Sequence, residues 1–319
     1  GDVNKAKSLI KAAAESGANI VKFQTFSADS LATKEAKKAN YQIDSTGSGE
    51  TQHEMLRKLE LSDHDHQMLY EYCEALNVEF LSSAFDEGSL EYLLKFGLKR
   101  IKIPSGEITN KRYLQKVAAL NKPIILSTGM CTLAEIDQAM SVLIHGGSER
   151  NDITILHCNS EYPTQYSDVN LRAMRTLGKV FGTSFGCSDH SIGIEVPVAA
   201  VALGGVIVEK HFTLNKNDFG PDHSSSLEPE MFAEMVKAIR HTEAALGSGI
   251  KTPSFSEEKN IGIVRKSIVA SKKILKGQVF SDSNLTAKRP GNGVSPMRID
   301  DIIGKKATRD YRQDEQIEI

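Results

Sequence analysis

The sequence predicts an α/β protein in which an eightfold (β/α)8 TIM barrel precedes a small β-rich module. Short apolar runs, typical of buried parallel strands, alternate with segments of helical periodicity. Ionisable residues follow these runs, as in V-I-V-E-K-H at 206–211. In a parallel barrel the carboxyl ends of the strands form the catalytic face. From Ile261 onward the pattern changes to short strand-like pieces separated by glycine-containing turns.

The elements of the barrel can be assigned in order along the chain. The first helix rests on apolar residues at helical spacing (Ala6, Ile10, Ala13) and on Gly17 as a stop signal. Helices are predicted at 3–16, 62–76, 88–96, 110–120, 132–144, 170–177, 195–203 and 229–246. Strands are predicted at 18–25, 78–81, 100–103, 123–126, 153–157, 183–187 and 206–209. The polar stretch 26–61 is predicted to be a long functional loop.

This assignment gives one strand fewer than the number of helices. A strand-first barrel explains the difference if its first strand is missing from this sequence and lies before Gly1. A doubly wound open sheet is the alternative architecture. It normally carries a glycine-rich phosphate fingerprint after an early strand, and none is present here.

Composition separates the two predicted domains and excludes several partners. The catalytic domain is predicted at 1–247, a linker at 248–260 and the β-rich module at 261–319. The module carries a net charge of +5 and the preceding chain −7, within a total of −2, which favours docking of the module onto a barrel. The near-neutral total argues against nucleic acid or an anionic membrane as a partner. The four cysteines form no C-x-x-C pair, which is typical of reduced thiols in a cytoplasmic enzyme.

Polar residues follow all seven predicted strands, in positions that a barrel would bring to one mouth. Two lysines and several hydroxyls suit phosphate and carboxylate oxygens, whereas Glu107, Tyr162 and Asp222 suit the hydroxyls of a sugar. The residues at these ends are Lys22, Gln24, Ser82, Ser83, Lys102, Ser105, Glu107, Ser127, Thr128, His157, Ser160, Tyr162, Ser188, Asp189, His190, His211 and Asp222.

The same positions carry a resemblance to the bacterial sialic acid synthase family. The strings that resemble it are V-K-F-Q-T, K-I-P-S-G-E, I-L-S-T-G-M, L-H-C-N-S-E-Y-P-T, S-D-H, E-K-H-F-T-L, G-P-D-H and K-R-P-G-N-G. The family condenses phosphoenolpyruvate with N-acetylmannosamine or a related hexosamine to give nonulosonic acids such as N-acetylneuraminate or legionaminate. The resemblance implies a barrel followed by an antifreeze-like (SAF) domain, and a domain-swapped homodimer.

The resemblance also implies roles for individual residues. His190 and His211 would bind a divalent metal, Mn2+ or Mg2+, although two histidines filling a polar barrel mouth are the alternative. Lys22, Lys102, Ser105, Ser127 and Ser188 would bind phosphoenolpyruvate, and Glu107, Tyr162 and Asp222 the amino sugar. Arg289 in K-R-P-G-N-G would reach the sugar site of the partner subunit, unless it is an ordinary exposed arginine.

The sequence departs from the family pattern at three places. S-S-A-F replaces S-T-P-F, so Ser83 must supply the hydroxyl, and Ser160 replaces the asparagine of some members. The glutamate that the family carries on its first strand is not in this sequence. The residues that distinguish one hexosamine from another are expected in the stretch 26–61, around Tyr41 and Gln52.

The resulting hypothesis is an aldol-like condensation. The metal polarises the open-chain aldehyde, C3 of phosphoenolpyruvate attacks it, water adds at C2 and phosphate leaves by C–O cleavage. Lys102 would neutralise the anionic substrate, and Glu107 or Asp222 would transfer a proton. Three alternatives remain: legionaminate synthase rather than N-acetylneuraminate synthase, a metal-dependent pyruvate aldolase, and an inert barrel that carries a sugar- or ice-binding module.

Overall fold

The computed structural model describes residues 1–318, which form two compact units. One unit spans Gly1–Gly247, and the other begins at Ser248. The helix Phe255–Val264 crosses the boundary predicted between linker and module, so part of the predicted linker is helical. No helix in residues 1–318 has the length and apolar character needed to cross a bilayer.

Seven parallel strands form the centre of the first unit, and each pairs with the next along the chain. They are β1 (Ile20–Thr25), β2 (Glu79–Ala84), β3 (Ile101–Ile103), β4 (Ile124–Ser127), β5 (Ile153–Cys158), β6 (Ser184–Asp189) and β7 (Val208–Lys210). The sequential parallel order confirms the predicted barrel architecture. It also places all seven carboxyl ends on one edge of the sheet.

Helices precede, separate and follow these strands along the chain, and the longer ones bury apolar side chains. They are α1 (Val3–Glu15), α2 (Ala28–Leu31), α3 (Asn40–Thr46), α4 (Gln52–Leu59), α5 (Asp63–Ala75), α6 (Glu87–Leu93), α7 (Lys111–Ala118), α8 (Leu133–His145), α9 (Tyr166–Val169), α10 (Leu171–Phe181), α11 (Glu195–Ala202) and α12 (Pro229–Leu246). Capping boxes begin α5 at Ser62 and α8 at Thr132, since each N-cap hydroxyl accepts a backbone N–H of the first turn.

The stretch 26–61 is not the single long loop that the sequence predicted. It contains α2, α3 and α4, of which α4 begins with a capping box at Thr51. Two of the three are shorter than eight residues, which is too short to show a clear apolar period. The prediction of an irregular stretch was therefore wrong.

Strands β1 and β7 are the two edges of the seven-stranded sheet. Between them lies a cavity of about 720 Å³, whose walls include Ile20, Val21, Ile207 and Val208. The cavity extends to Lys22 and Glu209 at the carboxyl ends of these strands. The strand expected ahead of Gly1 lies outside the described residues and stays a prediction.

The second unit has its own hydrophobic core, which confirms a small separate β module. Helix α13 (Phe255–Val264) precedes β8 (Ser267–Ala270) and β9 (Leu285–Lys288), which pair antiparallel. Ile268, Phe280 and Tyr311 are among the residues that fill the core. An isolated bridge between Val269 and Gln316 joins β8 to the segment near residue 316, and another pairs Val279 with Lys306.

Candidate active site

A carboxylate between two lysines lies at the carboxyl ends of β1, β3 and β7. Glu209 Oε2 is 2.9 Å from Lys22 Nζ, and Glu209 Oε1 is 3.7 Å from Lys102 Nζ. Lys102 also donates to Ser127 Oγ at 2.5 Å, and Ser188 Oγ donates to Glu209 at 2.7 Å. The structure thus brings together four of the residues predicted to bind phosphoenolpyruvate.

Glu209 itself was not predicted as a site residue. Side chains along a strand alternate between faces, so Glu209 and His211 belong to the same face and Lys210 to the other. His211 was predicted as a site residue because it follows the strand. Since Glu209 lies two residues earlier on the same face, the alternation of side chains could have identified it as well.

Burial and neighbouring charges set the protonation of this cluster. Burial lowers the pKa of Lys102 to about 8, while Glu209 opposes the shift and Lys22 adds to it. Burial alone would raise the pKa of Glu209, but Lys102 and Lys22 outweigh it and hold that pKa well below its usual range. Glu209 is therefore a permanent carboxylate, and the cluster carries a net positive charge below about pH 8.

Hydroxyls and a backbone N–H meet beside this cluster, at the ends of β3, β4 and β5. Gly129 N donates to Ser105 Oγ at 2.9 Å, and Ser105 Oγ lies 3.4 Å from Cys158 Sγ. A Cβ on Gly129 would lie only 2.3 Å from Ser160 Oγ and 3.0 Å from Ser105 Oγ. Glycine is thus required at 129 because two predicted site hydroxyls approach its backbone closely.

Ser83, at the end of β2, is buried, and its Oγ has no hydrogen-bond partner among the described residues. An unpaired buried hydroxyl is costly unless a ligand or water supplies a partner. This observation supports the prediction that Ser83 replaces the threonine hydroxyl of other family members.

The two predicted metal ligands face each other across the ends of β6 and β7. The ring centroids of His190 and His211 are 5.1 Å apart, with an interplanar angle of 84°. His190 Nδ1 donates to the carbonyl of Asn159 at 2.5 Å, so Nε2 carries the lone pair that a ligand could use, with Ser188 Oγ 3.5 Å from it. Burial lowers the pKa of both imidazoles to about 4, so both are neutral at pH 7, the form that binds cations.

These imidazoles fit a cation that keeps open coordination positions. Among residues 1–318, no group of three or more His, Cys, Asp or Glu side chains is arranged to hold a metal ion. Two protein nitrogens alone leave room for water and a substrate oxygen. This donor set is unlike a closed structural zinc site, which takes four protein ligands.

A buried ion pair lies directly beside the two histidines. Asp189 and Lys210 occupy paired positions on β6 and β7, and Asp189 Oδ2 is 2.5 Å from Lys210 Nζ. Both side chains are at most 2% exposed. Asp189 also accepts from Ser191 N at 2.9 Å, and Lys210 donates to the Ser191 carbonyl. The pair therefore fixes the backbone on both sides of His190 and at His211.

Tyr162 and Asp222, whose predicted role is to bind the sugar, border the two histidines. The Tyr162 ring centroid lies 4.3 Å from that of His190 and 5.3 Å from that of His211. Asp222 Oδ2 is 3.8 Å from His211 Nδ1, and burial raises the pKa of this carboxyl.

Three other predicted residues, Glu107, Arg289 and His157, make contacts within their own units. Glu107 is buried next to Ser105 in the chain, and its carboxylate accepts from Asn110 Nδ2 at 2.7 Å. Burial raises its pKa. Arg289 is in the second unit, where its Nε donates to the Val264 carbonyl at 2.9 Å. His157 bonds the Val169 carbonyl, which is a structural role.

Comparisons with known proteins connect this geometry to a family. The NeuB family model matches residues 9–251, and the SAF domain model matches residues 265–318. The chain belongs to the NeuB family. This match confirms the resemblance drawn from the strand-end motifs, and the SAF match confirms the antifreeze-like nature of the small module.

Individual relatives agree with this assignment. The chain is 52% identical over 317 residues to N,N'-diacetyllegionaminic acid synthase of Campylobacter jejuni, covering 99% of this chain and 95% of the relative. It is 46% identical to the synthase of the same name from Legionella pneumophila, covering 96% and 86%. The solved N-acetylneuraminic acid synthetase of Leptospira borgpetersenii is 32% identical, with a TM-score of 0.71 over 82% of this chain and 86% of that chain.

These findings establish the reaction class. The protein is a phosphoenolpyruvate-dependent synthase of the sialic acid type, which condenses phosphoenolpyruvate with an N-acetylated hexosamine. The prediction of an enzyme in the nonulosonic acid class is confirmed, and an inert barrel is excluded.

Proposed function

We propose that this synthase makes a legionaminic-type acid from the 2,4-diacetamido-6-deoxy analogue of N-acetylmannosamine. The identity of 52% to a diacetyllegionaminic acid synthase favours this sugar over N-acetylmannosamine. The proposed reaction is inferred from one observation. A candidate anion-binding cluster, formed by Lys22, Lys102 and Glu209, lies on strands that adjoin the facing imidazoles of His190 and His211.

Phosphoenolpyruvate would bind where the lysines and hydroxyls meet. The two lysines and Glu209 together carry one net positive charge, which attracts an anion. Ser83, Ser105, Ser127, Ser160 and Ser188 supply short donors, and of these Ser83 is buried without a partner. Fixed donors of this kind orient carboxylate and phosphate oxygens and stabilise charge on the departing phosphate.

The sugar would bind on the side of the histidines, against Tyr162 and Asp222. A divalent cation, Mn2+ or Mg2+, held by the free nitrogens of His190 and His211 would polarise the aldehyde carbonyl of the open-chain sugar. Tyr162 contacts both imidazoles and thereby limits how the sugar can approach. The hydrogen bond from His190 to Asn159 keeps its ring in one orientation.

The candidate residues for proton transfer are chosen by the direction of the pKa shift of each carboxyl group in the site. Glu209 stays ionised because Lys102 and Lys22 stabilise its charged form. Burial raises the pKa of Glu107 and of Asp222, which favours the protonated form of each carboxyl more than its ordinary value would. Glu107 or Asp222 is therefore the candidate for proton transfer, with Glu209 as a fixed negative charge between the lysines.

We further propose that the SAF module of a partner subunit completes the site. The module is more basic than the rest of the chain, and Arg289 is an exposed cation in its K-R-P-G-N-G turn. Gly291 in that turn has a structural reason of its own, because a Cβ there would lie 2.5 Å from Arg265 Cβ.

The substrate can be tested by comparing two sugars. Phosphate release and product mass are measured with phosphoenolpyruvate, Mn2+ and either the diacetamido sugar or N-acetylmannosamine. We expect a higher kcat/KM for the diacetamido sugar and a product mass equal to that of the legionaminic-type acid. A higher kcat/KM for N-acetylmannosamine would contradict the proposal.

A further inference from the structure

Helix α3 carries an aromatic side chain to the edge of the candidate sugar site. The ring centroid of Tyr41 lies 4.8 Å from that of Tyr162, with an interplanar angle of 36°. Tyr162 in turn contacts both His190 and His211. A continuous series of four rings therefore leads from the histidine pair to Tyr41, which stands one ring further out than Tyr162.

Hydrogen bonds and an ion pair within residues 36–52 fix the segment that contains Tyr41. The side chain of Lys38 is 1% exposed and donates to Thr46 Oγ1 at 2.9 Å, with Glu50 3.5 Å away. Gln52 N donates to the Ala36 carbonyl at 2.9 Å, which joins the two ends of the segment. These bonds hold α3 in one position because they join residues on both sides of it.

The same helix also touches the loop that carries Asp222. Ser45 Oγ donates to the Tyr41 carbonyl at 2.8 Å and lies 3.5 Å from the carbonyl oxygen of Pro221. Burial, together with the charge of Asp222, raises the pKa of Tyr41 to about 12, so its hydroxyl stays neutral. That hydroxyl accepts a bond from Gln42 Nε2 at 3.3 Å. The ring face of Tyr41, rather than a charge, is what the helix presents beside Tyr162.

We propose that Tyr41 is a specificity-determining residue that favours the diacetamido-6-deoxy sugar over N-acetylmannosamine. This inference rests on the proposed function, in which the aldehyde carbon C1 lies at the histidines. The rest of the sugar must then extend away from them, and Tyr41 borders the outer end. The two sugars differ at C4 and C6. The diacetamido sugar carries an acetamido group at C4 and a methyl group at C6, where N-acetylmannosamine carries a hydroxyl and a hydroxymethyl group.

An aromatic face distinguishes these substituents by desolvation. The methyl at C6 and the methyl of the C4 acetamido group gain free energy when they pack on a ring. A hydroxymethyl group gains less because it must give up bonds to water without receiving a partner from the ring face. Contacts of this size change kcat/KM by about tenfold to a hundredfold.

The test compares the ratio of kcat/KM for the two sugars in four proteins: the wild type, Tyr41→Phe, Tyr41→Ala and Phe219→Ala. Phe219 is a matched aromatic control, since it lies in the loop just before Asp222 and is 79% exposed. We expect Tyr41→Phe and Phe219→Ala to keep the wild-type ratio. Tyr41→Ala should reduce the ratio by about tenfold, with KM for phosphoenolpyruvate unchanged.

The possible outcomes separate this inference from the proposed function. An equal loss for both sugars, or an unchanged ratio, in Tyr41→Ala would overturn the inference while leaving the synthase assignment intact. A wild-type preference for N-acetylmannosamine would overturn both the substrate proposal and the inference. The thermal midpoint of each variant is measured in parallel. If Tyr41→Ala is unfolded, Tyr41→Gln takes its place and must also reduce the ratio, because its polar amide replaces the apolar ring face.

Discussion

Lys102 is the residue for which burial and charge make the clearest kinetic prediction. It is 2% exposed, and its ammonium group contacts Ser127 and Glu209. Lys102→Met should raise KM for phosphoenolpyruvate by about 2 kcal/mol or more, roughly thirtyfold, because a charge-assisted bond to the substrate is lost. KM for the sugar should change much less. Lys116→Met, on the outer helix α7, is the control and should leave both KM values unchanged. Equal increases in both KM values for Lys102→Met would contradict the assignment of Lys102 to phosphoenolpyruvate binding.

The lowered pKa of Lys102 also predicts a pH dependence. The ammonium group is charged below its pKa of about 8 and neutral above it, so the cluster loses its net positive charge as pH rises. The value of kcat/KM for phosphoenolpyruvate should therefore be level near pH 7 and decline above about pH 8. Glu209 and Lys22 face the same ammonium group, and Glu209 stays ionised throughout this range. A profile that is level to pH 10 would mean that the charge of Lys102 does not assist binding.

At the scale of elements, β6 and β7 depend on the buried pair of Asp189 and Lys210. Removing one partner leaves an uncompensated buried charge, so Asp189→Leu or Lys210→Met should lower the free energy of unfolding by about 3–5 kcal/mol. The double variant should recover part of this loss. Lys11→Met, which removes an exposed pair with Glu15, is the control. Urea unfolding measures the free energy of unfolding of these four variants and of the wild type. Single variants as stable as the wild type would contradict the structural role.

The same elements show what the sequence could and could not predict. Short apolar runs were enough to predict the seven strands and where they end. From these strand ends the sequence predicted that Lys22, Lys102, His190 and His211 lie at one mouth of the barrel. Helix α3 could not be predicted, because its seven residues have no buried side chain of their own. Glu209 was missed because residues after the strand were weighed and the inward-facing residue within it was not.

For the whole molecule, the sequence predicted the separation into two units, but not every element near their boundary. The change of period at Ile261 predicted a separate module, and a SAF domain match at 265–318 agrees with it. The helix at Phe255–Val264 was not predicted because its Gly, Ser and Asn content is typical of a linker. The proposed role of Arg289 in the site of a partner subunit concerns the assembly and cannot be derived from local sequence pattern.

Subunit mixing tests that assembly. Arg289→Ala should be nearly inactive if the arginine serves the partner's site, and His211→Ala should be inactive in its own site. When the two proteins exchange subunits, a mixed dimer contains one barrel with His211 and an intact Arg289 from its partner, so activity should return. No recovery, with exchange demonstrated by differently tagged chains, would show that each site is completed within one chain.

The central claim is that the facing histidines and the lysine cluster form one site for condensation of phosphoenolpyruvate with the sugar. The most direct measurement is phosphate release by metal-depleted protein to which Mn2+ is returned, in the wild type and in His211→Ala, with Mn2+ binding measured separately. We expect release only when phosphoenolpyruvate, sugar and Mn2+ are all present, and neither Mn2+ binding nor phosphate release in the folded variant. Undiminished release by His211→Ala, or by the wild type under chelation, would contradict the claim.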